Sequence, residues 1–495
     1  MRVFVLRISL GLISLLFSQF SVAQTLGLDS FVQSILKHNP GVQKILSEQD
    51  ISAGNLESSL GVDDGYINSS LSLIHSEPNQ ITGAEFLESD NKLLDVSYNR
   101  VFSDSGTRLS LAYGNQLTDQ TPALPVGDQY YQPSFTVRLT QPLLKNSGGV
   151  QDRLNVELNQ LNFKLSGLSS KEALESYITQ LATLYIDWYL ASRELEISKE
   201  VYQQAIEQEK LTEIKVKRQV IESYELLRSQ ETREDYYSRW QQAKGRYLGL
   251  MQKIGLQMNL EKNNGVDEWS PKNPEDAQLF TAEQTIFRGA EYLATSSRLK
   301  ELLDTLKQQQ IMLLEAKDNA RDSDLNLSFG YTRHGVDGSL SDAHSENLDK
   351  NDYSLMLEYK HPLGNRQASG NYQAQVASKR QLEADTRQRM IDVESNLANS
   401  QIQEAQLIIA LKSSDRKIEL ATKKIKQEQR LYKIGKLDLF ELLRDQTTQL
   451  ESRLNRERLF AQLLVLRLNI GELLDRNLET YSASTKLADV TTEEQ

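Results

Sequence analysis

The residues best placed to do chemistry are two Glu–Arg pairs in a tetrapeptide that occurs twice, Glu225-Leu226-Leu227-Arg228 and Glu441-Leu442-Leu443-Arg444. At a spacing of i, i+3 on a helix, that chemistry is a local salt bridge. Nothing points to catalysis. The five histidines, His38, His75, His334, His344 and His361, are scattered, and no two have the i, i+4 spacing of a helical metal site. The chain has no cysteine, no G-x-S-x-G and no P-loop. No enzyme, cofactor or metal is expected.

The elements that position these pairs are themselves repeated. Residues 432–446 read YKIGKLDLFELLRDQ and residues 217–230 read KRQVIESYELLRSQ. In register at an offset of 216, Gln230 falls on Gln446, Lys217 on Lys433, and Ile254-Gly255 on Ile470-Gly471. A fixed-period repeat takes precedence over local readings. It predicts a tandem duplication in which each copy marks a turn between two long helices. Gly435 supplies the backbone freedom of a tight turn, and Asp438 with Glu441 has capping-box spacing for the returning helix. The first copy departs from this with Gln219 where the second has Gly435.

The chain begins with a secretory signal. Arg2 and Arg7 flank a Leu/Ile run from 8 to 17, followed by Ser21-Val22-Ala23. Removing residues 1–23 removes these two arginines and no acid, so the formal charge of -12 becomes -14. The acidic balance and the lack of a basic block argue against nucleic acid. Nothing after the signal is apolar for 18 residues, so any span must be a closed barrel.

The first repeat is assigned to 24–260. It opens with a helix from 26 to 60, capped by Asp29 and broken at His38-Asn39-Pro40-Gly41. Period-two alternation then marks strands at 66–75 and 131–141, an extra hairpin at 92–117, and a loop at 118–130 holding Pro122, Pro125 and Gly127. A long helical hairpin follows over 149–260. Its seam runs through Leu154, Leu158, Leu161, Leu165 and Leu168, shifts by three, and resumes at Leu174, Ile178, Leu181, Tyr185 and Trp188. A linker at 261–276 leads to the second repeat, 277–478. This has a helix at 277–320, strands at 325–332 and 353–361 with a polar loop between them, and a helical hairpin at 371–478. A disordered tail is expected from 479 to 495. The alternating strands fit a barrel with lipid outside and water within, or equally a soluble sandwich. Four shared strands cannot close a barrel, since about eight is the small end.

Nearly the whole mature chain resembles the TolC-like outer-membrane efflux proteins. The resemblance is carried by residues 26–42 with Asn39-Pro40, by QPLL at 141–144 and its counterpart His361-Pro362-Leu363, and by 432–446. It implies a mixed α/β homotrimer, with a twelve-stranded outer-membrane barrel (four strands per chain) continued by an α-helical coiled-coil barrel in the periplasm. It further implies a passive duct for tripartite efflux or type I secretion, docking a periplasmic adaptor and an inner-membrane transporter. By the same resemblance the two turns become periplasmic tips, with adaptor contacts at Gln219, Val220, Ile221, Gly435, Lys436, Leu437 and Asp438. Glu441, with its copy Glu225, matches an entrance ring of carboxylates, and Arg444 stands where a second acid is common. Glu225, Arg228, Glu441 and Arg444 are then expected to link helices and hold the entrance shut. The alternative is a non-channel coiled-coil scaffold or adaptor of the periplasm. It accounts for the helices but not for strand blocks at equivalent places in both halves.

Overall fold

The computed structural model describes residues 24–77, 88–124, 127–258, 269–277, 289–345 and 348–482; the expected signal lies outside them. In chain order, β1 is Gln24–Leu26, α1 Leu28–His38 and α2 Pro40–Leu60. The strands β2 Tyr66–Ser76, β3 Glu88–Phe102, β4 Thr107–Leu124 and β5 Gly127–Pro142 follow. Next come α3 Val150–Lys217, α4 Ser223–Gln257 and the short strand β6 Trp269–Pro271. The remainder is α5 Gly289–Thr295, α6 Arg298–Asn319, β7 Asp324–His334, α7 Leu340–Ser345, β8 Lys350–Lys360, α8 Arg366–Lys433, α9 Leu439–Leu473 and α10 Arg476–Ser482. Among the described residues no helix is long and apolar enough to cross a membrane.

The paired long helices keep one offset throughout. Both α3 and α8 have 68 residues, both α4 and α9 have 35, and every boundary of the second pair lies 216 residues after the first.

The chain divides into two compact units. One comprises Gln43–Leu174 and Phe287–Asn396 and holds the sheet; the other comprises Met1–Val42, Glu175–Ile286 and Leu397–Gln495 and is mostly helical. The sheet has six strands in the order β2-β3-β4-β5-β7-β8, each antiparallel to its neighbour. The extra hairpin is thus part of the same sheet as the four strands expected to build the barrel. The hairpin β3–β4 is not an appendage but lies between β2 and β5. The expected loop at 118–130 is corrected, because β4 and β5 pair almost to their turn, with Thr118 opposite Tyr130 and Asp119 opposite Gln129. The strand continues here on polar residues that bond along the sheet: Thr118 Oγ1 and Gln116 Nε2 both donate to Asn91 Oδ1, each at 2.8 Å. The polar loop after β7 contains α7, where His344 Nε2 lies 2.8 Å from the Tyr113 hydroxyl.

The alternation read from the sequence becomes two surfaces. Ile67, Tyr98, Leu111, Val137, Tyr331 and Tyr353 pair in one row across all six strands. The next row, on the opposite face, is Asn68, Ser97, Ala112, Thr136, Thr332 and Asp352. Side chains one residue apart along a strand point to opposite faces, so one face is aliphatic and aromatic and the other is small and polar. On the polar face Thr136 and Thr332 hydroxyls lie 3.0 Å apart, as do Thr140 and Ser328.

In the helical unit, the second seam of α3 forms the core. Ile178, Tyr185 and Trp188 are fully buried, and Leu181 is buried with them. Phe31 of α1 packs against Tyr185, with ring centroids 5.9 Å apart. The Tyr185 hydroxyl donates to the carbonyls of Leu26 and Lys272, which ties β1 and β6, a parallel pair, to the helix. Of the expected linker, residues 261–268 lie outside the described ones, 269–271 are strand and 274–276 a 3-10 turn. The break at 38–41 is present. Asn39 is extended before Pro40, as X-Pro geometry favours, and its Oδ1 accepts from Gly41 N and the Tyr177 hydroxyl. Asp29 is not the cap, since Gly27 holds that position and Asp29 sits in the first turn. There it accepts from the Tyr481 hydroxyl at 2.8 Å. That contact explains why helix α10 and the buried Tyr481 occupy the start of the expected disordered tail. The helix expected at 277–320 is interrupted at Ser297, whose side chain caps α6 through Lys300 N; residues 278–288 lie outside the described ones.

Candidate functional site at two helical turns

Both turns stop their first helix in the same way. Gln219 has φ 58° and Gly435 has φ 75°. At the first turn Val220 N donates to Lys215 O and Gln219 N to Val216 O; at the second Lys436 N donates to Leu431 O and Gly435 N to Tyr432 O. Each set is the bond pair of a Schellman motif, which requires one left-handed residue. Glutamine adopts that conformation at a cost that glycine avoids. Asp438 does cap α9, but its Oδ1 accepts from Phe440 N at 3.3 Å, one residue short of Glu441 N, so the cap is not made through the expected capping box.

The two Glu–Arg pairs differ in setting. Glu225 is buried and lies 3.5 Å from Arg228 Nη1. Arg228 also stands over the rings of Tyr224 and Phe440, 5.7 and 5.2 Å from their centroids. These two aromatics are equivalent at the repeat offset, so Arg228 joins α4 to α9. Glu441 and Arg444 are both about half exposed and 3.9 Å apart. Arg444 instead reaches its neighbour, with Nε 3.5 Å from Asp445 Oδ1.

Asp445 leads to a cluster that the sequence reading missed. Lys424 Nζ bonds Asp445 Oδ2 and lies 3.4 Å from Glu428 Oε1. Lys424 holds the Asp445 carboxyl below its ordinary range, while Asp445 raises Lys424. Burial, reinforced by Asp445, pushes Glu428 up. At the repeat offset these three residues become Gln208, Thr212 and Ser229, all neutral and all buried. Comparing the two copies beyond the turn would have revealed this asymmetry.

The hairpins also touch each other. Lys215 Nζ lies 3.3 Å from the Tyr432 ring centroid, Thr212 Oγ1 is 3.1 Å from the Tyr432 hydroxyl, and Tyr236 bonds Thr447 at 2.8 Å. Val220, Ile434 and Phe440 are exposed around the turns. Chemically the arrangement offers charges, hydrogen bonds and exposed apolar tips.

No family model and no curated protein matches the sequence. Solved structures do match in fold. The outer-membrane channel OprN shares 13% identity at a TM-score of 0.67, covering 91% of this chain and 90% of that one. The CmeC outer-membrane channel of Campylobacter jejuni shares 13% identity at a TM-score of 0.64, covering 93% and 88%. The outer-membrane protein VceC of Vibrio cholerae shares 10% identity at a TM-score of 0.64, covering 92% and 95%. The chain thus has the fold of these outer-membrane channels, in which long helices adjoin an antiparallel sheet.

Proposed function

We propose that the protein is the outer-membrane channel of a tripartite efflux or type I secretion system. In this reading three copies close a barrel in the outer membrane, and their helical parts form a duct in the periplasm. It is not an enzyme; substrates are delivered by an inner-membrane transporter through a periplasmic adaptor that contacts the tips. The single observation that carries the reading is the two-faced sheet. An unbroken apolar row across six strands, backed by a polar row, suits lipid on one side and water on the other. The shared fold and the sequence resemblance support it further.

At the tips, the reading gives the residues separate roles. Gln219, Val220 and Ile221, with Gly435, Lys436, Leu437 and Asp438, form the adaptor contact. The buried Glu225–Arg228 pair holds α4 against α9 within one copy. The exposed Glu441–Arg444 pair is free to reach the next copy and close the entrance. The test is reconstitution: detergent-extracted protein in planar bilayers should give discrete trimeric conductances. Protein that is released without detergent, is monomeric and is electrically silent would overturn the reading.

A further inference from the structure

The hairpin β3–β4 carries the same two-faced pattern as the four strands around it. Val96, Tyr98, Leu109, Leu111 and Tyr113 lie on the apolar face, in rows shared with Phe135, Val137 and Leu139 of β5. Ser97, Ser110 and Ala112 lie on the polar face with Thr136 and Arg138. A hairpin projecting from the membrane into water would have no reason to continue an apolar row on one side only.

Among the described residues, two edges of the sheet remain open. They are β2 and β8, each eleven residues long. Their apolar side chains are largely exposed, Ile67 at 72%, Leu71 at 70%, Tyr353 at 73% and Leu355 at 76%. An open edge in lipid leaves backbone N–H and C=O groups without partners, at several kcal/mol each. Six strands are also too few to close on themselves, since about eight is the small end. The parity of the sheet supplies the solution. With six alternating strands, β2 and β8 run in opposite directions, so β8 of one copy continues antiparallel into β2 of the next. That seam aligns Tyr353, Leu355 and Leu357 with the face of Ile67, Leu71 and Leu73.

We propose that a second copy of this chain occupies each edge, β8 against β2, and that the wall has eighteen strands, six from each of three copies. The count of three rests on the duct reading above. At a strand spacing of about 4.8 Å and a tilt near 40°, eighteen strands give a barrel about 36 Å across, against about 24 Å for twelve.

Single-particle electron microscopy of the detergent-purified full chain counts the strands directly. Eighteen strands with 88–124 in the wall is the expected result. A conducting trimer with twelve wall strands and that hairpin outside them would overturn this proposal alone; two copies closing twelve strands would overturn it together with the count of three. Monomeric, electrically silent protein would overturn the duct reading as well. Cross-linking checks the seam independently, because the chain has no cysteine. Asn68→Cys, Ser70→Cys or Ser72→Cys is combined in one chain with Asp352→Cys, Ser354→Cys or Met356→Cys. At least one combination should give a covalent ladder ending at three copies. A ladder ending at two, or none in any combination, would overturn the seam.

Discussion

The Lys215 ammonium lies over the Tyr432 ring at 3.3 Å from its centroid and also donates to the Tyr432 carbonyl, bridging the ends of two helices 217 positions apart in sequence. The carbonyl it caps belongs to the last turn of α8, where a cation also complements the helix dipole. Lys215→Met should therefore lower stability by about 1 kcal/mol, the usual scale of a partly shielded cation–π contact. Tyr432→Phe keeps the ring and the carbonyl and loses the hydroxyl's bonds to Thr212 and Gln208, so its effect should be smaller. Denaturant midpoints of the two variants check the order.

The left-handed residue at each turn predicts opposite signs for two substitutions. Gly435→Ala meets no atom within 4 Å, so its cost is backbone strain alone, about 1 kcal/mol. Gln219→Gly removes the same strain and should stabilise, or leave stability unchanged after the added flexibility of the unfolded chain. Thermal midpoints that move in the same direction for both would contradict the equivalence of the turns.

The Lys424, Glu428 and Asp445 cluster makes stability depend on pH. Asp445 has a depressed folded value, so its contribution is present above the ordinary aspartate value of about 3.9 and is lost as pH falls through the folded one. Asp445→Asn should destabilise at pH 7, and the difference from the parent should shrink as pH falls below the ordinary aspartate range. Glu428 is shifted the other way, so the folded state keeps its proton longer and stability falls as pH rises through that range. Glu428→Gln should therefore not destabilise at pH 7. Thermal unfolding across pH 3 to 8 measures both.

The two faces of the sheet predict different tolerance to charge. Leu111→Arg places a cation in the apolar row and should cost about 2–4 kcal/mol near the middle of a bilayer. Thr136→Arg, one row away on the polar face, should be tolerated and should change ion selectivity instead. Comparable assembly yields for both variants would refute the orientation.

The exposed pair predicts a change of gating. Glu441→Ala with Arg444→Ala should raise the open probability in bilayers, while Glu225→Ala should mainly lower stability because that carboxylate is buried beside Arg228. Unchanged conductance in the double variant would remove Glu441 and Arg444 from the gate.

The sequence by itself determined the helical hairpins, because a turn repeated at an offset of 216 is a local signal that needs no packing to be seen. It also marked the strands, since period-two alternation survives wherever one face meets an apolar medium. It did not determine the sheet. Whether β3–β4 stood apart or joined β2 to β5 depends on pairing between distant strands, and only the tertiary structure placed Tyr98 beside both Ile67 and Leu111. The same holds at the turns. Identical tetrapeptides leave Glu225 buried and Glu441 exposed because burial is set by the neighbours that folding brings up and not by the residues themselves.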